Sequence, residues 1–217
     1  MLPSSTAPLP ARTLIRHEGT CLRHVVTLVL LAYSVVPLHA EPIPPGPSKI
    51  TLKVAAYDLD LFTYKPKTYT NGPLVVVFHG MLRNADTYRD NAIGLADRFG
   101  VVVVAPLFDL KRFPNEAYQS GGLFKKGELQ PKEVWTWSLV PTLVDEVRKL
   151  EGQPKMPYYL IGHSAGGQFL CRLTGFVPTN AERIVAANPG SHLFRRPRRL
   201  SLTASASCRR LSMATNP

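Results

Sequence analysis

A serine, Ser164, stands between glycines at the junction of an apolar run and a helical pattern, and this arrangement limits the possible folds more than any other part of the sequence. Residues 158–170 read YYLIGHSAGGQFL. The first four are apolar or aromatic, as in a short buried strand, and Phe169, Leu170 and Leu173 recur on one face of a helix that Gly175 would end. Strand, serine and helix in this order predict a sharp turn that presents the serine at the carboxyl end of the strand, where open α/β sheets bind ligands.

Ser164 has two possible roles in such a turn, that of a nucleophile or that of a small residue that merely fits. The turn strains the serine backbone, and side chains on its neighbours would collide with it, which gives Gly162, Gly166 and Gly167 a steric purpose. With a predicted strand before it and a predicted helix after it, the motif favours the nucleophile over the plain turn.

The rest of the chain alternates between strand and helix patterns, which predicts an α/β fold with a doubly wound, mostly parallel sheet and right-handed crossovers. Continuous apolar runs predict buried strands, and apolar residues at helical spacing predict the helices. The expected elements are edge strands at 51–58 and 59–66 with a hairpin at Asp58, a strand at 74–80, a helix from Asn84 to Gly100, a strand at 101–106, a helix through 140–150 that Pro141 kinks or begins, and a strand at 183–190.

The long segment from Leu107 to Glu133 has no sustained periodicity. Loops of this length in a compact domain are usually functional or disordered, and this one follows a strand at the carboxyl edge, where it would roof the site. Trp135 and Trp137 either line a pocket there or belong to the core, and the core is favoured. Asp109 and Lys111 are expected to be solvated loop charges.

The amino-terminal 40 residues have the pattern of an export signal. Three arginines precede the apolar run VVTLVLLAYSVV at 25–36, and Ala40 is the last residue before a plausible cleavage point. The run is short for a bilayer span, which favours an export signal over a membrane anchor and predicts a secreted or periplasmic protein. Residues 41–49 are predicted to be an exposed, proline-rich lead-in.

Charge and cysteine content argue against two other functions. The formal net charge is +11, but residues 1–40 carry +2 and residues 195–217 carry +6, which leaves the body near +3 and does not favour nucleic-acid binding. Cys21, Cys171 and Cys208 make no disulfide framework and have no metal-ligand spacing with histidine, so we expect no metal.

The segments FHGMLRNADTY, VVVVAP, GHSAGGQF and VAANPG occur in this order within residues 50–194. With these spacings the chain resembles the α/β-hydrolase superfamily, nearest to its secreted esterase and polyhydroxyalkanoate-depolymerase-like branch. The resemblance implies a serine hydrolase that needs no cofactor and acts on a small or polymeric ester.

The resemblance also assigns roles to matched positions. Ser164 would be the acyl nucleophile, and the backbone N–H groups of Ala165 and Met81 would bind the negative charge that develops on the carbonyl oxygen. Gly80 would let the loop bring its backbone amide close to Ser164. The resemblance makes His79 a support for that loop rather than the catalytic base, and we expect His163 to be structural or to line the pocket.

The remaining members of a catalytic triad are not evident. In this superfamily an acid and then a histidine follow the serine on later loops. Only Glu182 and His192 are available after Ser164. Glu182 precedes a strand, at the wrong end of the sheet, and His192 follows that strand closely, so it is a weak candidate for the base.

The last residues differ in character from the rest. Residues 195–217 contain six arginines and no Asp, Glu, Gly or aromatic residue, and they lack the pattern of a further strand and helix. The resemblance implies two more strands and a closing helix, so we interpret native-like sequence as ending near Phe194, with an out-of-frame or substituted, disordered tail after it. The rival interpretation is a basic arm for an acidic partner.

Two functions of different classes follow. The first is an exported serine esterase that acts through an acyl-enzyme on Ser164, without nucleic-acid binding or a stable membrane anchor. The second is a catalytically inactive hydrolase remnant or binding protein. The serine turn alone is also compatible with peptidase, thioesterase or acyltransferase chemistry, and the sequence indicates no particular oligomeric state.

Overall fold

The computed structural model describes residues 41–191. The predicted export signal at 1–40, His192 and the basic tail at 195–217 lie outside the described residues.

A six-stranded mixed sheet forms the centre of the described part. Its strands are β1 Gly46–Val54, β2 Tyr57–Lys65, β3 Leu74–Phe78, β4 Val102–Pro106, β7 Tyr158–His163 and β8 Arg183–Ala187, and β5 Phe124–Lys125 with β6 Glu128–Leu129 is a small separate hairpin. The strand order is β1-β2-β4-β3-β7-β8. β1 and β2 are antiparallel to each other, β2 is antiparallel to β4, and β4, β3, β7 and β8 are mutually parallel. This confirms the predicted mostly parallel sheet.

Helices cover both faces of the sheet, as a doubly wound fold requires. Every residue of β3 and of β4 is buried, because these central strands are covered on both sides. The helices are α1 Ala85–Asn91, α2 Ile93–Phe99, α3 Asn115–Gln119, α4 Leu139–Leu150 and α5 Ala165–Phe176. One apolar cluster joins the sheet to α1 and α2, and a larger cluster joins its other face to α4 and α5.

The first hairpin does not turn where the sequence predicted. Asp58 lies within β2 and pairs with Lys53, and the turn is at Ala55 and Ala56. Ala55 takes the left-handed conformation, with φ 53°. That conformation usually marks Gly, Asn or Asp, so an alanine there leaves no signal in the sequence.

The start of the first strand was also misplaced, because β1 begins at Gly46, within the predicted lead-in. Ile43 is buried in the core, with 1% of its surface exposed. The prolines around it hide the strand pattern, since proline lacks the N–H that a ladder needs.

The predicted helix from Asn84 to Gly100 is two helices. Ala92 takes ψ −2°, which interrupts the helical ladder, and Gly100 ends the second helix with φ 61° as predicted. Tyr88, Ala92 and Leu95 nevertheless pack against one apolar cluster, so their periodicity continues across the break and predicted a single helix.

The helix after Ser164 runs past the residue predicted to stop it. Gly175 lies inside α5, which ends at Phe176 with Val177 extended. Pro178 explains the end better than Gly175, because a residue before proline is disfavoured in helical conformation. Pro141 is the third residue of α4, so of the two predicted alternatives it lies near a helix start, where its missing N–H costs no helical hydrogen bond.

Within residues 41–191, no helix combines the length and apolar character that a membrane crossing requires.

Candidate active site

Ser164 lies at the junction of β7 and α5, in a backbone conformation that few residues adopt. Its φ and ψ are 54° and −116°, and its side chain is partly exposed. The turn is fixed on both sides, because the Ser164 N–H donates to the Ala187 carbonyl at 3.0 Å and the Gln168 N–H donates to the Ser164 carbonyl at 2.9 Å. Such strain persists only where the surroundings impose it, and it is common at active sites.

Three glycines make this turn possible, for the steric reason that the sequence suggested. A Cβ on Gly162 would lie 2.5 Å from the backbone of Gly166. A Cβ on Gly166 would lie 2.3 Å from the Phe78 carbonyl oxygen, and one on Gly167 would lie 2.6 Å from the Ala187 oxygen. The start of α5 is therefore wedged against the carboxyl ends of β3 and β8, and only glycine fits there.

The loop after β3 approaches the serine closely. A Cβ on Gly80 would lie 3.9 Å from Ser164 Cβ, so Gly80 and Ser164 face each other across a narrow gap. Met81 follows with 55% of its surface exposed. On the other side, Ala165 is the first residue of α5, and N–H groups in the first turn of a helix have no partner within the helix.

His79 is wholly buried, and both of its ring nitrogens are engaged. The Phe108 N–H donates to His79 Nε2 at 3.1 Å, so Nε2 carries no proton and Nδ1–H donates to the Gly80 carbonyl at 2.9 Å. The Tyr118 hydroxyl donates to the His79 carbonyl at 2.8 Å. Burial lowers the pKa of His79 to about 4. A neutral imidazole with both nitrogens occupied supports the loop, which agrees with the role expected for it.

His163 precedes the serine and is exposed. Its Nδ1 lies 3.2 Å from the hydroxyl oxygen of Tyr88, which reaches it from α1. The same hydroxyl lies 2.8 Å from the position that a Gly80 Cβ would occupy. Tyr88 thus contacts both the loop after β3 and the residue before Ser164.

The spacing of Tyr88 in the sequence predicts only that it lies on the apolar face of a helix, so the contact of Tyr88 with the site was missed. Periodicity places the ring toward the sheet, but it carries no information on where the hydroxyl ends.

Of the two residues considered as triad partners, the structure describes Glu182, and it lies far along the sheet from Ser164. Glu182 is exposed and lies before β8, and its N–H donates to Tyr158 at the amino end of β7, opposite to Ser164. This confirms that Glu182 sits at the wrong end of the sheet. His192 lies outside the described residues. Within residues 41–191, no hydrogen bond reaches the Ser164 hydroxyl.

The segment from Leu107 to Glu133 is more ordered than its lack of periodicity suggested. It contains α3 and the β5–β6 hairpin. Two short 3-10 helices follow, one at Lys132–Val134, across the end of the segment, and one at Thr136–Ser138. Asp109 is paired with Arg112, and Lys111 is exposed, as expected of loop charges.

The two tryptophans belong to the core, as favoured from the sequence. Trp137 is fully buried and stacks on Phe176 at 5.2 Å between ring centroids, and Trp135 is 6% exposed. Gly121 has φ 64°, and a Cβ there would lie 2.0 Å from the Trp137 ring. The tryptophans therefore anchor the segment to α5.

Many solved structures resemble this chain, and two of them share about a third of its sequence over the matched region. One is poly(aspartic acid) hydrolase-1 from Sphingomonas sp. KT-1, at 32% identity and a TM-score of 0.67 over 71% of this chain and 60% of that one. The other is a poly(3-hydroxybutyrate) depolymerase from Bordetella parapertussis, at 36% identity and a TM-score of 0.65 over 73% of this chain and 57% of that one. The match spans less than two thirds of either protein. A scan against protein-family models and a search of curated proteins found no match.

The strand order, the strained serine between β7 and α5 and these neighbours together define the class of protein. The chain belongs to the α/β-hydrolase superfamily.

Proposed function

We propose that this protein is an exported serine hydrolase that cleaves carboxylic esters through an acyl-enzyme on Ser164. The observation that carries the proposal is the position of Ser164, strained and partly exposed between β7 and α5, with the Gly80 loop facing it. One similar structure is named as a depolymerase of poly(3-hydroxybutyrate), which is a polyester. We extend that substrate class to this chain as small or polymeric esters.

In the proposed reaction, the Ser164 hydroxyl oxygen attacks the ester carbonyl carbon and gives its proton to a base. The carbonyl oxygen becomes negative and accepts hydrogen bonds from the N–H groups of Met81 and Ala165. The alcohol leaves with a proton, and water then attacks the acyl-enzyme and releases the acid. Loss of one such N–H donor typically raises the free energy of the transition state by about 3–4 kcal/mol.

Three histidines follow the predicted export signal, and elimination leaves one of them as the base that accepts the serine proton. His79 is buried with both nitrogens engaged, and His163 is bonded to Tyr88. We propose His192, which lies outside the described residues, as the candidate base.

One observation favours a second function, an inactive hydrolase remnant that binds but does not cleave. Within residues 41–191, neither a histidine nor a carboxylate is hydrogen-bonded to Ser164. Without a base and the acid that orients it, a serine hydroxyl is a weak nucleophile.

Hydrolysis of p-nitrophenyl butyrate by the purified 217-residue chain separates the two functions. We expect turnover that Ser164→Ala abolishes. Ser120→Ala, at the residue that directly follows α3, should leave the turnover unchanged. Circular dichroism of all three proteins controls for folding. If folded wild-type protein hydrolyses no faster than Ser164→Ala, the esterase proposal fails and the binding function is favoured.

Export is tested separately. We propose that residues 1–40 direct secretion, and amino-terminal sequencing of secreted protein should give Glu41 as the first residue. Protein that keeps its first 40 residues would contradict this part of the proposal.

A further inference from the structure

The loop that faces Ser164 is held at both ends by the segment that follows β4. At its first end, His79 accepts a hydrogen bond from the Phe108 N–H and another from the Tyr118 hydroxyl. At its other end, Arg83 extends its guanidinium to the same segment. Between these ends, Met81 and Leu82 are 55% and 86% exposed.

The Arg83 guanidinium makes three hydrogen bonds with oxygens of this segment. Nη1 donates to the Phe108 carbonyl at 2.8 Å, and Nη2 donates to the Phe113 carbonyl at 3.0 Å and to Asn115 Oδ1 at 3.1 Å. The guanidinium also lies over the Tyr118 ring, 4.5 Å from its centroid. A planar fork of donors suits this arrangement, and the ammonium of a lysine would not reproduce it.

The backbone of Arg83 is strained, and the three guanidinium hydrogen bonds, called the clamp below, help to offset that strain. Its φ is 59°, in the left-handed region, and it is not a glycine. A non-glycine residue in this region costs of order 1–3 kcal/mol, and the surrounding contacts must offset that cost. The side-chain hydrogen bonds of Arg83 supply those contacts.

Two hydrogen bonds orient one peptide unit of the loop, and the clamp acts on it through Arg83, whose backbone N–H makes one of them. The Gly80 carbonyl accepts hydrogen bonds from His79 Nδ1–H at 2.9 Å and from the Arg83 N–H at 3.3 Å. The described chain has no cis peptide bond, so the Gly80–Met81 unit is trans and its N–H is directed opposite to its carbonyl. A carbonyl held toward His79 and Arg83 therefore turns the Met81 N–H away from them.

We propose that Arg83 is a positioning residue, which fixes the Gly80–Met81 peptide so that the Met81 N–H donates to the oxyanion formed at Ser164. This inference rests on the proposed esterase function. Because the oxyanion is absent from the bound ester and develops only during attack, in the transition state and the tetrahedral intermediate, loss of the clamp lowers kcat and leaves KM nearly unchanged.

Replacement of Arg83 by alanine tests this inference on the full chain. We expect kcat to fall by about 10- to 100-fold, which is no more than the fall caused by removal of a whole oxyanion donor. KM should change by less than about two-fold. Free guanidinium ion at about 50 mM should restore part of kcat, because it can occupy the vacated fork, and methylammonium should not. Arg83→Lys should remain impaired.

Arg89→Ala is the matched control. Arg89 also donates to two backbone carbonyls, those of Ser48 and Thr63, but these belong to β1 and β2. We expect this variant to keep the wild-type kcat. Asn115→Ala removes one acceptor and leaves Arg83 in place, so a smaller loss of kcat is expected even if Arg83→Ala does not fold.

Two results would overturn the inference. One is an unchanged kcat in Arg83→Ala, and the other is a parallel loss of stability and activity that guanidinium does not restore. Amide hydrogen exchange separates this inference from the esterase proposal, because it needs no catalysis. If the wild type proves inactive, Arg83→Ala should still speed exchange in residues 79–83 and 108–118 together, and unchanged exchange there would contradict the clamp itself.

Discussion

His79 and Ser164 follow neighbouring strands at the same edge of the sheet but are held in opposite ways. Ser164 is partly exposed, and its hydroxyl has no hydrogen-bond partner within residues 41–191. His79 is completely buried, with both ring nitrogens and its carbonyl occupied. The Ser164 hydroxyl is thus available for the proposed reaction, and His79 is committed to holding the loop that faces it.

Burial of neutral His79 predicts a specific dependence of stability on pH. Its pKa is about 4 in the folded protein against an ordinary value of 6.5, so the unfolded chain binds more protons between these values. Stability from this group is complete above pH 6.5 and falls as pH drops toward 4, by about 3 kcal/mol in total. Urea unfolding at pH 7 and pH 4.5 measures the change.

His79→Asn is the matched control for that prediction. An asparagine amide can donate to the Gly80 carbonyl but does not titrate, so the variant is less stable at pH 7 and loses less stability on acidification. An equal loss in both proteins would contradict the account of His79.

The site residues differ in how far the sequence could predict them. The glycines around Ser164 were predicted because a motif fixes their spacing, and each proves to be in backbone contact. Arg83 and Tyr118 were not singled out, because their role depends on contacts between the loop after β3 and the segment after β4. No local pattern encodes a contact between two irregular segments.

At the scale of elements, the junction of β3, β7, β8 and α5 depends on the absence of side chains at its glycines. A Cβ on Gly166 would lie 2.3 Å from the Phe78 carbonyl oxygen and 2.9 Å from that of His79. Both are backbone atoms, which cannot rotate away as a side chain can. Helix α5 would have to move away from β3 to admit one methyl group.

Gly166→Ala is therefore expected to destabilise the protein by about 2 kcal/mol or more, in the upper part of the range for overpacked cores. Gly94→Ala is the control, because Gly94 lies in α2 and a Cβ there meets no atom within 4 Å. Alanine at that position should stabilise by about 0.5–1 kcal/mol, since it restricts the unfolded chain. Thermal unfolding of both variants checks the sign, and destabilisation of equal size would contradict the wedge at α5.

The errors at the element scale have a common cause. Periodicity predicted which residues face the core, and it did so correctly through α5 and at Leu95 and Ala96. It was wrong at Phe99, which recurs at the same helical spacing but is 63% exposed. It did not locate the breaks, because Ala55 and Ala92 take special conformations without a special residue type.

At the scale of the whole molecule, one buried ion pair ties distant parts of the chain together. Lys65 Nζ lies 2.6 Å from Glu151 Oε2, with the two side chains 14% and 2% exposed. The Ile43 N–H donates to Glu151 at 2.8 Å, and Lys65 donates to the Ile43 carbonyl at 3.0 Å. The end of β2, the end of α4 and the start of the described chain thus meet at one point.

Glu151→Gln leaves the Lys65 charge without a partner in a mostly buried position, so we expect a loss of about 2–3 kcal/mol. Glu146→Gln breaks an exposed pair, in which Lys149 is 70% and Glu146 is 30% exposed, and should leave the free energy of unfolding nearly unchanged. Chemical denaturation of the two variants side by side measures the difference. Similar effects would show that the buried pair does not hold the lead-in.

The sequence predicted the layered architecture of the molecule but not this long-range tie. Alternating buried strands and amphipathic helices allow few packings, so the sheet and its two helical layers follow from pattern. An ion pair between residues 65 and 151 depends on where two elements end in space, which a linear pattern does not encode.

The proposed role of the Ser164 hydroxyl as the attacking group underlies the whole reaction. Its most direct test is treatment of the full chain with diisopropyl fluorophosphate, followed by intact mass measurement and peptide mapping. We predict one phosphoryl adduct per chain, on Ser164, absent from folded Ser164→Ala. An adduct on another residue, or none on folded wild-type protein, would contradict this role.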